Sequence, residues 1–154
     1  MGLLMNSRRD LDQLDRRILE LLQHNARMSN TEIGKRVGLS QPAVTARIQK
    51  LEDDGVIEGY GARVNARQAG LEISALIRLK TTHQHIDSCL RLFAATPSIV
   101  NADRITGEDC FIVRVTVASM PQLEAVIDSL ARMGGVSTSI VLATYPSKPL
   151  ALDS

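Results

Sequence analysis

Partway along this chain the spacing of apolar residues changes from helical to alternating, and few folds accommodate that switch in 154 residues. Up to about residue 55 the period is helical. Leu11, Leu14, Ile18, Leu21 and Leu22 form one stripe, with Asp10, Asp12 and Asp15 near its start, where a helix dipole favours anions. Ser29 and Glu32, in S-N-T-E, form a capping box that opens a second helix: the Ser29 hydroxyl accepts from the amide three residues on, and Glu32 reaches back. Ile33 and Val37 are its buried stripe and Gly38 ends it. Ser40 caps a third helix, with Pro42 in its first turn, Val44, Ile48 and Leu51 on one face, and Gly55 as its close.

From residue 71 the period becomes two. Leu71, Ile73, Ala75, Ile77 and Leu79 alternate with Glu72, Ser74, Leu76, Arg78 and Lys80, as in a strand with one buried face. Ile86, Cys89, Leu90 and Phe93 predict a helix. Residues 99–106 read as a strand, Gly107 to Asp109 as a turn, and 110–118 as a stronger strand. Leu123, Val126, Ile127 and Leu130 predict another helix with Pro121 in its first turn, and 136–144 a last strand. Helical core positions recur 37 residues apart, 86 with 123, 89 with 126, 90 with 127 and 93 with 130. The order β-α-β-β-α-β with right-handed crossovers puts both helices on one face of an antiparallel sheet, a ferredoxin-like sandwich. The expected class is α+β, with a helix-turn-helix domain at 1–64 that includes an extended connecting strand over 56–64. A linker at 65–70 and a sandwich domain at 71–154 complete the division. The sheet's other face is expected to carry Leu76, Ile112, Val141 and Ala143, and a half-apolar face of that kind calls for a cover, here a second copy of the chain.

Composition removes several function classes. No stretch approaches the roughly 18 apolar residues of a spanning helix, and the first ten residues contain no signal-peptide core, so the expected location is the cytoplasm. Two cysteines make no disulfide scaffold. Four scattered aromatics (two Phe, two Tyr, no Trp) are too few for a surface that stacks single-stranded bases. The net charge of +1 is uninformative, but its distribution is not: residues 33–51 hold Lys35, Arg36, Arg47 and Lys50 and no acid.

That acid-free stretch coincides with the Gly38-Leu39-Ser40 turn, whose length sets two helices at a steep angle. Opposite its apolar stripe the third helix offers Gln41, Thr45, Arg47, Gln49 and Lys50. Short polar side chains near the N-terminus of a protruding helix, with cations beyond, suit the major groove of double-stranded DNA. Gln41, Thr45 and Gln49 can address base edges, and Arg47 can meet guanine or phosphate. Lys35, Arg36 and Lys50 can neutralise phosphates, with Ser40 at the helix start. The competing reading is a small helical module that grips a protein partner while the sandwich senses a metabolite.

Three linked blocks carry a resemblance to a known family: LDQLDRRILELLQHNAR at 11–27, IGKRVGLS at 33–40 and VTARIQKLEDDGVI at 44–57. In this order they resemble the leucine-responsive/asparagine regulators (Lrp/AsnC) of prokaryotic transcription, and the likeness extends over about residues 10–146. The resemblance implies an N-terminal winged helix-turn-helix reader and a C-terminal domain that binds an amino acid or related small molecule. It also implies a homodimer that assembles further, often into octamers, with the effector held between neighbouring dimers. A glycine-containing turn between the second and third strands of that domain contributes to the family's pocket. Here that turn is ITGEDCF at 105–111, so the resemblance nominates Thr106, Gly107, Glu108 and Asp109. The family's usual G-x-x-D spacing would place Asp at 110, where this chain has Cys110.

The chemistry of the turn is compatible with such a site: its amides can receive a carboxylate, and Glu108 or Asp109 an ammonium group. An ordinary exposed hairpin turn is the alternative, and Ser137, Thr138 and Ser139 are a weaker candidate lining. His83 and His85 offer two nitrogens without a third ligand nearby in sequence. The G-Y-G at 59–61 lacks the third glycine of a dinucleotide fingerprint, Cys89 falls on a core stripe, and Cys110 has no base beside it. No nucleophile elbow or phosphate loop appears, so no catalysis is expected.

Overall fold

The computed structural model describes residues 10–108 and 110–152. The chain divides into two compact units, one of residues 1–62 with 146–154 and one of residues 63–145.

The helical unit holds α1 (Gln13–His24), α2 (Asn30–Val37) and α3 (Gln41–Asp53). Each begins where a side-chain oxygen satisfies an otherwise unpaired amide. Asp12 accepts from the Asp15 amide at 2.8 Å, Ser29 from Glu32 at 3.1 Å and Ser40 from Ala43 at 3.3 Å. Only half of the expected capping box forms, because Glu32 turns to Arg36 one helical turn on, at 2.7 Å. Ile18, Leu19, Ile33, Val37, Val44, Ile48 and Leu51 make the core. Gly34 sets the crossing of α2 and α3: a Cβ there would stand 2.5 Å from the Leu39 carbonyl oxygen. Its own carbonyl accepts from the amides of Gly38 and Leu39, which closes the turn.

The second unit runs β1 (Ile73–Lys80), α4 (Ile86–Ala95), β2 (Ile99–Arg104), β3 (Phe111–Val117), α5 (Met120–Ala131) and β4 (Gly135–Ile140). The strands lie in the order β2-β3-β1-β4, all neighbours antiparallel, which is the ferredoxin-like arrangement the element order predicts. Alternation decides the faces. Ala75, Ile77 and Leu79 of β1 and Phe111, Val113 and Val115 of β3 are buried beneath Ile86, Cys89 and Phe93 of α4 and Leu123, Val126 and Leu130 of α5. Phe93 meets Phe111 edge to face, ring centres 5.1 Å apart.

Four expectations need correction. Residues 56–64 pair with no strand of this chain among the described residues, so the single chain shows neither the ladder of a connecting strand nor a wing. The assigned last strand ends at Ile140 rather than 144; the Val141 amide still donates to the Ser74 carbonyl at 2.8 Å, whereas Ala143 lies beyond the ladder. Leu90 is exposed, since the apolar stripe of α4 passes through positions 86, 89 and 93. Residues 146–152 join the helical unit rather than continue the sandwich domain.

Candidate nucleic-acid interface and effector turn

Ser40, Gln41, Thr45, Gln49 and Lys50 are exposed along one side of α3, opposite its buried Val44, Ile48 and Leu51. The side chains at the helix start are not independent. Thr45 Oγ1 donates to the Gln41 carbonyl at 3.0 Å and accepts from Gln41 Nε2 at 3.2 Å and from Asn30 Nδ2 at 3.0 Å. Asn30, the first residue of α2, is thereby drawn into the cluster, a partnership that no sequence spacing announces. One turn further on, Gln49 donates to Asp53 at 2.9 Å. The result is an exposed row of amide and hydroxyl groups, preordered by mutual hydrogen bonds and able to present both donors and acceptors.

The cations divide differently from the sequence expectation. Arg47 Nη1 lies 2.6 Å from Asp12 and 2.9 Å from Asp15, so its guanidinium closes on the start of α1. The Asp15 side chain is only 3% exposed and that of Arg47 30%, which makes this an ion pair at the edge of the core. Hydrogen bonding to Asp12 and then Asp15 raises the Arg47 pKa. The Asp15 amide and then Arg47 hold Asp12 below the ordinary aspartate value. Arg36 is paired with Glu32, whereas Lys35 and Lys50 are exposed with no ion pair to another described residue. The stretch that is acid-free in sequence is therefore not acid-free in space. Arg17, overlooked in the sequence, adds an exposed cation whose Nη2 donates to the Arg36 carbonyl at 3.0 Å, where the C-terminal end of α2 favours positive charge.

In the second unit Ile105 donates its amide to the Cys110 carbonyl at 2.9 Å and closes the β2–β3 turn. Thr106, Gly107 and Glu108 are exposed; Asp109 lies outside the described residues. Gly107 has φ of +108°, a left-handed backbone conformation that side-chain-bearing residues rarely adopt. Cys110 is turned inward: its thiol donates to the Thr81 carbonyl at 3.0 Å. The carboxylate the family pattern places at 110 is thus replaced by a half-buried sulfur tied to the segment after β1, and the acids of the turn are Glu108 and Asp109. His83 and His85 form a short 3-10 turn before α4, and no group of three potential metal ligands occurs among the described residues. No helix among them is long and apolar enough to cross a membrane.

Comparison with known proteins matches both units. Residues 11–52 fit the AsnC-type helix-turn-helix domain and residues 74–150 the Lrp/AsnC ligand binding domain. The chain is similar to an HTH-type transcriptional regulator of Bacillus subtilis, YezC, at 34% identity over 142 residues, covering 90% of this chain and 99% of that protein. It is also 34% identical to the leucine-responsive regulatory protein of Rhizobium meliloti, covering 88% and 89% respectively. A solved transcriptional regulator from Neisseria meningitidis in complex with L-Met superposes with a TM-score of 0.85 at 26% identity, covering 94% of this chain and 98% of that one. These matches define a DNA-binding transcriptional regulator with a ligand-binding domain rather than an enzyme. The chain belongs to the Lrp/AsnC family.

Proposed function

We propose that the chain reads double-stranded DNA with the exposed side of α3, and that an amino acid received at the 105–111 turn modulates this reading. The observation that carries the DNA assignment is the preordered polar row of Gln41, Thr45 and Gln49, flanked by Lys50 on the same helix. Gln41, Thr45 and Gln49 address base edges, Ser40 caps the helix that carries them, and Lys35, Arg36 and Lys50 meet phosphates. Arg47 takes a different part from the one its position in sequence indicates. Its guanidinium is engaged by two carboxylates, so it holds α3 against α1 and orients the reader.

At the effector turn the positive φ of Gly107 lets the backbone bend, the turn's amides can receive a carboxylate, Thr106 supplies a hydroxyl, and Glu108 and Asp109 supply acceptors for an ammonium group. The L-Met complex of the similar regulator supports an amino acid as the class of ligand. Dimerisation through the open sheet face is supported by Leu76 and Ile112, both half-buried, with Arg78 and Arg114 beside them. A dimer places two α3 helices about one duplex turn apart, and further assembly of dimers, to an octamer, gives the effector a boundary between dimers on which to act.

The test is binding to operator DNA selected by the full chain, measured between 50 and 200 mM salt. Lys50→Ala is expected to weaken binding to all sequences and to reduce the salt slope by about 0.9, one phosphate contact. An unchanged slope would remove Lys50 from the interface, and no binding to any duplex would favour a protein partner instead. Gly107→Val is expected to abolish the effector response and leave basal operator binding intact; calorimetry showing unaltered amino-acid affinity in that variant would move the site elsewhere.

A further inference from the structure

We infer that residues 146–152 are a docking strap for which α1 supplies the receiving surface, giving the reader a second, non-covalently docked tether to the sheet domain. The inference rests on three anchors. The Gln23 side chain bonds Leu150 twice, its Oε1 accepting from the Leu150 amide at 2.7 Å and its Nε2 donating to the Leu150 carbonyl at 3.2 Å. This reproduces with one side chain the two-way pairing that a neighbouring strand would offer. Arg16 donates through Nη1 to the Leu152 carbonyl and through Nε to the Leu11 carbonyl at 3.3 Å, which fixes the guanidinium across the start of α1. Leu152 packs, half-buried, on the helical core.

The occupant is residues 146–152 of the same chain, and their composition suits the task. Pro146 and Pro149 restrict the undocked segment, which lowers the entropy lost on docking. Only Leu152 is withdrawn from solvent, so the strap can be released without unfolding the unit. Its hydrogen bonds to described residues go to α1, not to Gln41, Thr45 or Lys50, so it acts by placing the reader rather than by covering it. The chain leaves the helical unit once after residue 62 and returns at 146, with only the five residues Val141 to Tyr145 between the end of β4 and the strap. Motion of the last strand therefore has a route to α1 independent of the linker at 65–70.

Two measurements on the full chain decide the matter. In a melting cycle, Gln23→Ala and a chain ended after Tyr145 should each lower the melting temperature of the helical unit by about 4 °C or more. Their combination should lower it no further than the truncation alone, because the partner of Gln23 is already gone. Additive shifts, or none, would overturn docking. The second measurement rests on the proposed DNA-reading dimer and compares duplexes with one and with two half-sites. Truncation should weaken two-half-site binding by about threefold or more and leave one-half-site binding unchanged, since only the paired geometry depends on placement. Equal losses on both duplexes would mean that the tail merely stabilises the fold and would overturn the strap's placing role. If the full chain itself does not distinguish the duplexes, the dimer fails instead, and the melting cycle alone decides the strap.

Discussion

The two units solve the problem of holding helices in place by different physics. In the sandwich unit the buried set is almost wholly apolar, thirteen residues from Ala75 to Leu130 that interlock between one sheet and two helices. In the helical unit seven apolar residues form the core, and the contact between α1 and α3 is completed by Arg47 with Asp12 and Asp15. A small three-helix unit buries less of its surface than a sheet sandwich does, so single polar contacts weigh more in it. The difference has a functional side. The DNA-binding unit is held partly by interactions that salt and pH can tune, whereas the sandwich unit is held by packing that they scarcely alter.

This contrast can be broken from either side. The largest expected effect is Phe111→Ala, which empties the centre of the sandwich and removes the edge-to-face pair with Phe93; a loss of about 3–5 kcal/mol is expected. That loss should be the same at low and high salt in denaturant melts of the sandwich transition, and a marked salt dependence would contradict an apolar core. Next comes Arg47→Ala. Its pair with Asp15 lies between an exposed ion pair, worth less than about 1 kcal/mol, and a fully buried one, whose disruption costs about 3–5. A loss of about 2 kcal/mol in the helical unit is expected, with Arg47→Lys restoring part of it. If Arg47→Ala leaves the melt unchanged but weakens operator binding and flattens its salt slope, Arg47 faces DNA after all.

The smallest effect is that of pH through Asp12. Its folded pKa is depressed below the unfolded value, so its contribution is present above the ordinary aspartate range and disappears as pH falls through the folded pKa. Half-exposed as it is, the Asp12 pair should contribute less than about 1 kcal/mol. Asp12→Asn keeps a good cap while removing the charge. Acid titration of the helical unit should show a shallower decline in this variant than in the parent chain, and identical curves would assign the acid sensitivity to other carboxylates.

Much of the fold is legible in the one-dimensional pattern. The caps Ser29 and Ser40, the stripe 44-48-51 and the alternation from Ile73 to Leu79 are local, and local patterns report directly on helices and strands. The misreadings share a cause. Arg47 meets acids 32 and 35 residues away in sequence, so an acid-free window around it carries no information about its partners. Glu32 had two acceptable uses, reaching back to its cap or pairing with Arg36, and helical spacing allows both. Leu90 fits a helical stripe in the sequence, but the sheet covers only the part of α4 that 86, 89 and 93 occupy. Asn30 beside Thr45 and Leu150 on Gln23 are long-range meetings that leave no trace in periodicity.

What the amino-acid order determined by itself is the list of elements, their buried faces, the helix-turn-helix spacing and the family that these blocks mark. Those properties follow from the periodicities of helix and strand and from the chemistry of caps and turns, all of which act over a few residues. Tertiary structure alone decided which charges remain available, that Gly34 must yield its side chain to the Leu39 carbonyl, and where the C-terminal segment goes. Each of these depends on groups far apart in the chain being brought within a few ångströms, and Coulomb attraction, steric exclusion and hydrogen bonding act on distance in space, not on distance in sequence.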